Sequence, residues 1–205
     1  NIKIHDFKMY GFNNPSTGGY WKSECIQIDA SIAGSSSAPD TPGSYDGLMT
    51  RDVEIYNGLF SSKKVETVFY GAPNPVGSHA QVETQPARNI NFHHNRIVNP
   101  TRDTTSGVYG AIHFVGGENI TVADNIWEYT AESPNASTTL VGLYSTNWGT
   151  AWIGANFESG ATNTPQALEK PLVISDVLIA RNTVLGIKSD GTRPLITVAN
   201  KSDSI

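Results

Sequence analysis

The chain has 205 residues, of which 16% are charged and 38% hydrophobic, and its formal net charge is −5. No basic stripe is visible, which argues against nucleic acid as a partner. No run approaches 18 apolar residues, so no segment reads as a membrane span. Nineteen glycines and 11 prolines suit many turns, and no long segment carries apolar residues at helical spacing. An all-β domain is expected, and one plausible core makes 1–205 a single domain. The single cysteine, Cys25, rules out an intrachain disulfide and reads as a packed small residue. The chain opens on strand-like sequence at Asn1, with no signal peptide, and is expected to be an internal piece of a longer one.

In chain order, one nine-residue pattern recurs: Asn or Asp, apolar, any, apolar, any, any, turn residue, any, apolar. It reads NIKIHDFKM at 1, DVEIYNGLF at 52, NINFHHNRI at 89, NITVADNIW at 119 and DVLIARNTV at 176. Its seventh column holds Phe7, Gly58, Asn95, Asn125 and Asn182. Three asparagines in one column predict a ladder of side-chain amides at a turn, with Asn in the left-handed backbone that such a bend needs.

A second strand alternates with the first: CIQID at 25, PVGSH at 75, AIHFV at 111, LVGLY at 140 and LITVA at 195. No Asn-Gly hairpin signal joins matched strands. Same-type strands recurring every 30 to 57 residues are expected to stack in parallel, at about 4.8 Å per coil, as a solenoid with long loop insertions. An antiparallel β-sandwich is the alternative.

Alternation assigns the faces. In the second strand type, Ile26 and Ile28, or Ile112 and Phe114, point inward. The third column (Gln27, Gly77, His113, Gly142, Thr197) and the fifth (Asp29, His79, Val115, Tyr144, Ala199) then point outward. Gly77 leaves a notch between Gln27 and His113 that a sugar ring fits, and Ser78 faces the core. Asp29 falls beside His79. The loop over residues 30–50 ends in SYDGLMT and is expected to deliver Asp46. Asp29, Asp46 and His79 are a sufficient set for glycoside hydrolysis: one carboxyl protonates the leaving oxygen and the other activates water or attacks the sugar. The histidine holds a carboxylate in a useful state or carries the proton. Glu24, Gln27, Gly77, His113, Tyr45 and Trp21 are the candidate substrate contacts. Trp148 and Trp152 read as packing of an insertion. His93 and His94 read as a surface turn, because adjacent strand residues point to opposite sides and rarely share a metal.

The order ECIQIDAS, YDG, VEIYNGLF, PVGSHA, NINFHHNRI, GAIHF and NITVADNIW resembles the right-handed parallel β-helix proteins of the pectin-lyase-like superfamily, in particular bacteriophage tailspike and appendage proteins. The resemblance spans about residues 1 to 200. It implies a homotrimeric spike domain, on a virion tail or secreted, that binds and cleaves a bacterial surface polysaccharide or wall polymer. Gln27, Asp29, Asp46 and His79 match best. His113 stands where such relatives often carry arginine. Two carboxylates are few for a calcium site, so hydrolysis with no metal and no cofactor is expected. A receptor-binding or structural spike segment without chemistry is the second reading, and a polysaccharide lyase a third.

Overall fold

The computed structural model describes residues 1–11, 24–28, 50–66, 68–70, 74–78, 87–100, 111–130, 139–153, 162–186 and 195–200. Every regular element among them is a strand. Three large sheets form. The first contains β1 (Ile2–His5), β4 (Arg51–Tyr56), β9 (Ala87–His93), β12 (Gly117–Ala123) and β16 (Ile174–Ala180), in that order. The second contains β2 (Lys8–Tyr10), β5 (Leu59–Ser61), β10 (Arg96–Val98), β13 (Ile126–Glu128) and β17 (Thr183–Leu185). The third runs from β3 (Glu24–Gln27) through β8 (Asn74–Gly77) and β11 (Ile112–Val115) to β14 (Val141–Ile153), which also pairs with β18 (Ile196–Asn200).

The pairings just named are parallel. An antiparallel sandwich therefore does not describe them, whereas a parallel β-helix is compatible with them. Two local antiparallel pairs lie beside the sheets: β6 (Lys63–Val65) with β7 (Val68–Tyr70), and the second half of β14 with β15 (Thr162–Leu172). Trp148 and Trp152 lie on that extension of β14, opposite Ala167 and Asn163.

The nine-residue pattern is not one strand. It breaks at its sixth and seventh positions and supplies one strand to the first sheet and one to the second. The break is made by a left-handed residue at the sixth position: Asp6, Asn57, His94, Asp124 and Arg181 have φ between 53° and 57°. The expectation had put this backbone on the seventh-column asparagines, but the residue before them carries it. A second left-handed column falls on the first position, at Asp52, Asn89, Asn119 and Asp176. Asn and Asp tolerate this region because a short polar side chain can bond locally. There Asn119 Nδ2 donates to Asn89 Oδ1 at 2.9 Å, and Asn89 Nδ2 donates to Asp52 Oδ1 at 2.8 Å.

The seventh column forms the expected amide ladder. Asn95 accepts at Oδ1 from the Gly58 N–H (2.9 Å) and donates through Nδ2 to the Ile55 carbonyl (3.0 Å). Asn125 Oδ1 accepts from the Asn95 N–H (2.9 Å), and Asn182 Oδ1 accepts from the Asn125 N–H (3.0 Å). Asn125 and Asn182 in turn donate to the Phe92 and Val122 carbonyls. Each amide thus ties its own turn to the preceding strands, and Asn95 and Asn125 also donate to the next asparagine of the column. These bonds form away from water, since Asn95 and Asn125 are each 1% exposed, and buried polar groups need such partners. The ladder stops at Gly58, where a Cβ would stand 2.3 Å from the Phe7 ring.

Alternation within each strand fills the core. Ile55, Phe92 and Val122 come from the first sheet, Phe60, Ile97 and Trp127 from the second, and Val76, Ile112, Phe114 and Leu143 from the third. A stair of rings, Phe7–Phe60–Phe92, crosses from the second sheet to the first at centroid spacings of 5.2 and 5.9 Å.

Candidate functional site

The third sheet fixes the row from which the sequence reading built its site. Gln27 pairs with Gly77, Gly77 with His113, His113 with Gly142, and Gly142 with Thr197. This is the column obtained by aligning the second strand type. The row is closed by the Ile28 N–H, which donates to the Gly77 carbonyl (2.8 Å) between β3 and β8, and by the Ser78 N–H, which donates to the His113 carbonyl (3.0 Å) between β8 and β11. Asp29 and His79 follow Ile28 and Ser78 directly in the chain. Asp29, Asp46, His79, Tyr45 and Trp21 themselves lie outside the described residues. Glu24 and Gln27 are described by their backbone, within β3, where Glu24 pairs with Asn74.

The expected open notch is enclosed. Gly77 is buried and His113 is 1% exposed. Ile112 and Phe114 occupy the core, so the His113 side chain lies on the opposite face of the strand, and that face is shielded from solvent too. Tyr144, in the fifth column, is likewise fully buried. A ligand in contact with His113 or Gly77 requires displacement of what covers them. Ser78, expected to face the core, is buried.

The first sheet carries a second constellation. His5, Tyr56 and His93 stack on successive strands, with centroids 4.9 and 5.2 Å apart and interplanar angles of 15° and 3°. Glu54, two columns away, takes an ion pair from Lys3 at 2.8 Å and lies 3.1 Å from His93 Nε2. These two contacts, Lys3 first, hold the Glu54 carboxyl below its ordinary pKa, and Glu54 raises that of Lys3. The imidazoles of His93 and His94 meet, Nδ1 to Nδ1, at 2.8 Å. The alternation rule put them on opposite faces, but the left-handed backbone of His94 takes it out of the strand and turns its ring back. Arg181 grips Asp124 through two 2.7 Å bonds and lowers its pKa, while His5 lowers that of Asp6.

Beside this turn runs an open groove of about 580 Å³ along the stacking direction. Asp6, Asn57, His94 and Asp124 form one wall, and Lys8 and Arg96 stand on the other. Among the described residues, no group of three or more His, Cys, Asp or Glu side chains is arranged to hold a metal ion. Neither Glu54 nor Tyr56 stands out in the sequence. The signal that finds them is the column alignment itself, which puts Tyr56 beside His5 and His93.

Comparison of the chain with protein-family models, with curated proteins and with solved structures gives no match in any of the three.

Proposed function

We propose that the chain folds as a right-handed parallel β-helix with loop insertions and works as a tailspike-like domain that binds and cleaves a bacterial surface polysaccharide or wall glycopolymer. The observation that supports the reading is the third-sheet register. Adjacent strands β3 and β8 pair as far as Gln27 and Gly77, and each leads within two residues to a chemistry-bearing residue, Asp29 or His79. Asp46 arrives from the intervening loop. In this scheme one of Asp29 and Asp46 protonates the glycosidic oxygen as the bond breaks, and the other activates water or attacks the anomeric carbon. His79 keeps the carboxylates in unlike protonation states or relays the proton. Glu24, Gln27, Tyr45 and Trp21 bind the glycan, with Gly77 and His113 beneath it. The assembly is a homotrimer, on a virion tail or outside a bacterial cell.

A second reading, a recognition module without chemistry, is favoured by the burial of Gly77 and His113, which closes the expected notch. One assay separates the two. Wild-type protein, Asp29→Asn and His79→Ala are incubated with surface polysaccharides from candidate hosts, and new reducing ends, unsaturated uronates and bound glycan are measured. The hydrolase reading predicts reducing ends in the wild type and a rate lower by about 10²- to 10⁴-fold in each variant. Unsaturated uronates identify a lyase instead. Binding without cleavage in all three proteins overturns the catalytic reading in favour of recognition.

A further inference from the structure

We propose that His93 and His94 form a binding site for a divalent late transition metal of square-planar preference, Cu²⁺ above all, held between their two Nδ1 atoms. Four features of the described residues support this.

The first is the separation. Two imidazole nitrogens at 2.8 Å cannot both present lone pairs to each other, so one carries a hydrogen that the other accepts, and a metal ion can replace that hydrogen. Ligands at metal–nitrogen distances of about 2.0–2.1 Å stand about 2.9 Å apart when cis in a square plane, but about 3.3 Å apart in a tetrahedron. At 2.8 Å the pair stands close enough for a small ring rotation to admit one ion, and imidazole donors favour Cu²⁺ over Ni²⁺ and Zn²⁺ in affinity.

The second is the support of His93. Its far nitrogen, Nε2, lies 3.1 Å from the Glu54 carboxylate, so the N–H is there and the Nδ1 lone pair faces His94. A carboxylate on the remote nitrogen is the usual outer partner of a metal-binding histidine, because it fixes tautomer and ring orientation and raises basicity. Lys3 secures Glu54 in turn. Third, the Tyr56 ring lies parallel to His93 at 5.2 Å and limits its rotation. Fourth, the φ of 53° at His94 brings two chain-adjacent side chains to one spot, which a regular strand forbids.

The metal takes the place of the shared proton. His94 loses its proton at Nδ1 and regains one at Nε2 from water, so the neutral pair binds with no net proton change. His94 is exposed, and a small turn about its broad χ2 well directs its lone pair to the ion. Asp124 stays engaged with Arg181, so water fills the remaining positions. Imidazole donors exclude Ca²⁺ and Mg²⁺, which take oxygen ligands.

The test is titration of the whole chain with Cu²⁺, followed by calorimetry and electron paramagnetic resonance. The expected result is one equivalent with nitrogen superhyperfine structure. His94→Asn, which keeps a residue suited to left-handed backbone, lowers the affinity at least tenfold. Glu54→Gln lowers it about 10- to 100-fold, His5→Gln leaves it unchanged, and Mg²⁺ does not compete. Circular dichroism of each variant establishes that it is folded. Absence of a stoichiometric site overturns the proposal, as does a site that survives in His94→Asn or disappears in His5→Gln. So does a nitrogen-coupled site that Mg²⁺ displaces.

Discussion

Asn95→Ala lowers the melting temperature by roughly 10 °C, the largest drop expected of any single polar substitution among the described residues. The reason is the number of backbone groups that depend on one amide. Asn95 satisfies the Gly58 N–H and the Ile55 carbonyl across one interface, and its own N–H and Nδ2 meet Asn125 Oδ1 across the next. Alanine leaves the Gly58 donor and the Ile55 acceptor buried and without this partner. Each such group costs about 1–3 kcal/mol, so the total is about 3–5 kcal/mol. That is a large share of the roughly 5–15 kcal/mol by which a domain is stable. The exposed ladder is the control. Asn89→Gly, which keeps a residue suited to the left-handed backbone, removes amide bonds of similar length, but water replaces them, and its melting temperature stays within about 2 °C of wild type. Calorimetric melts of the two variants make the comparison. Equal shifts would mean that the internal ladder carries no special weight.

Trp127→Ala costs about 3–5 kcal/mol in stability. The indole is 1% exposed and is the largest fully buried side chain among the described residues. It sits on β13 between Ile97 and Val184 in the pairing of the second sheet. Parallel neighbours joined by backbone hydrogen bonds cannot close up on the vacated volume, so the cavity persists and its contacts are lost. The preceding residue points the other way: Ile126 is 42% exposed, and Ile126→Thr changes stability by less than about 0.5 kcal/mol. Urea denaturation gives both values. A mild effect at Trp127, or a severe one at Ile126, would reverse the facing of β13 and with it that of the whole second sheet.

Repetition made the parallel stacking legible in the sequence. The seventh-column asparagines and the alternation of Ile90 with Phe92, or Ile120 with Val122, report contacts between residues far apart in the chain, because each sequence repeat makes the demands of the one before. Register was legible for the same reason, and Gln27, Gly77, His113, Gly142 and Thr197 pair as aligned. Two features were not legible. The left-handed turn falls on Asp6, Asn57, His94, Asp124 and Arg181, a column of mixed chemistry with no common residue type. That turn is what brings His93 and His94 together, so a rule that holds for regular strands failed there. The burial of His113 was hidden as well. Alternation separates the two faces of a strand but does not say which of them meets water.

The register at the proposed catalytic row is open to direct test by cross-linking. Asp29→Cys and His79→Cys are combined in a Cys25→Ser background and oxidised mildly. If the pairing of β3 with β8 carries on past Gln27 and Gly77, the two positions stand one strand spacing apart. That is about 4.8 Å, within the roughly 4.4–6.8 Å that a disulfide spans. Leu59→Cys with Arg96→Cys, on paired strands β5 and β10, serves as the positive control. Rapid formation of an intramolecular bridge between positions 29 and 79, at a rate like that of the control, is the predicted result. A control that bridges while both thiols at 29 and 79 stay free to react with alkylating agent would contradict it, and the shared site of Asp29 and His79 would fall with the register.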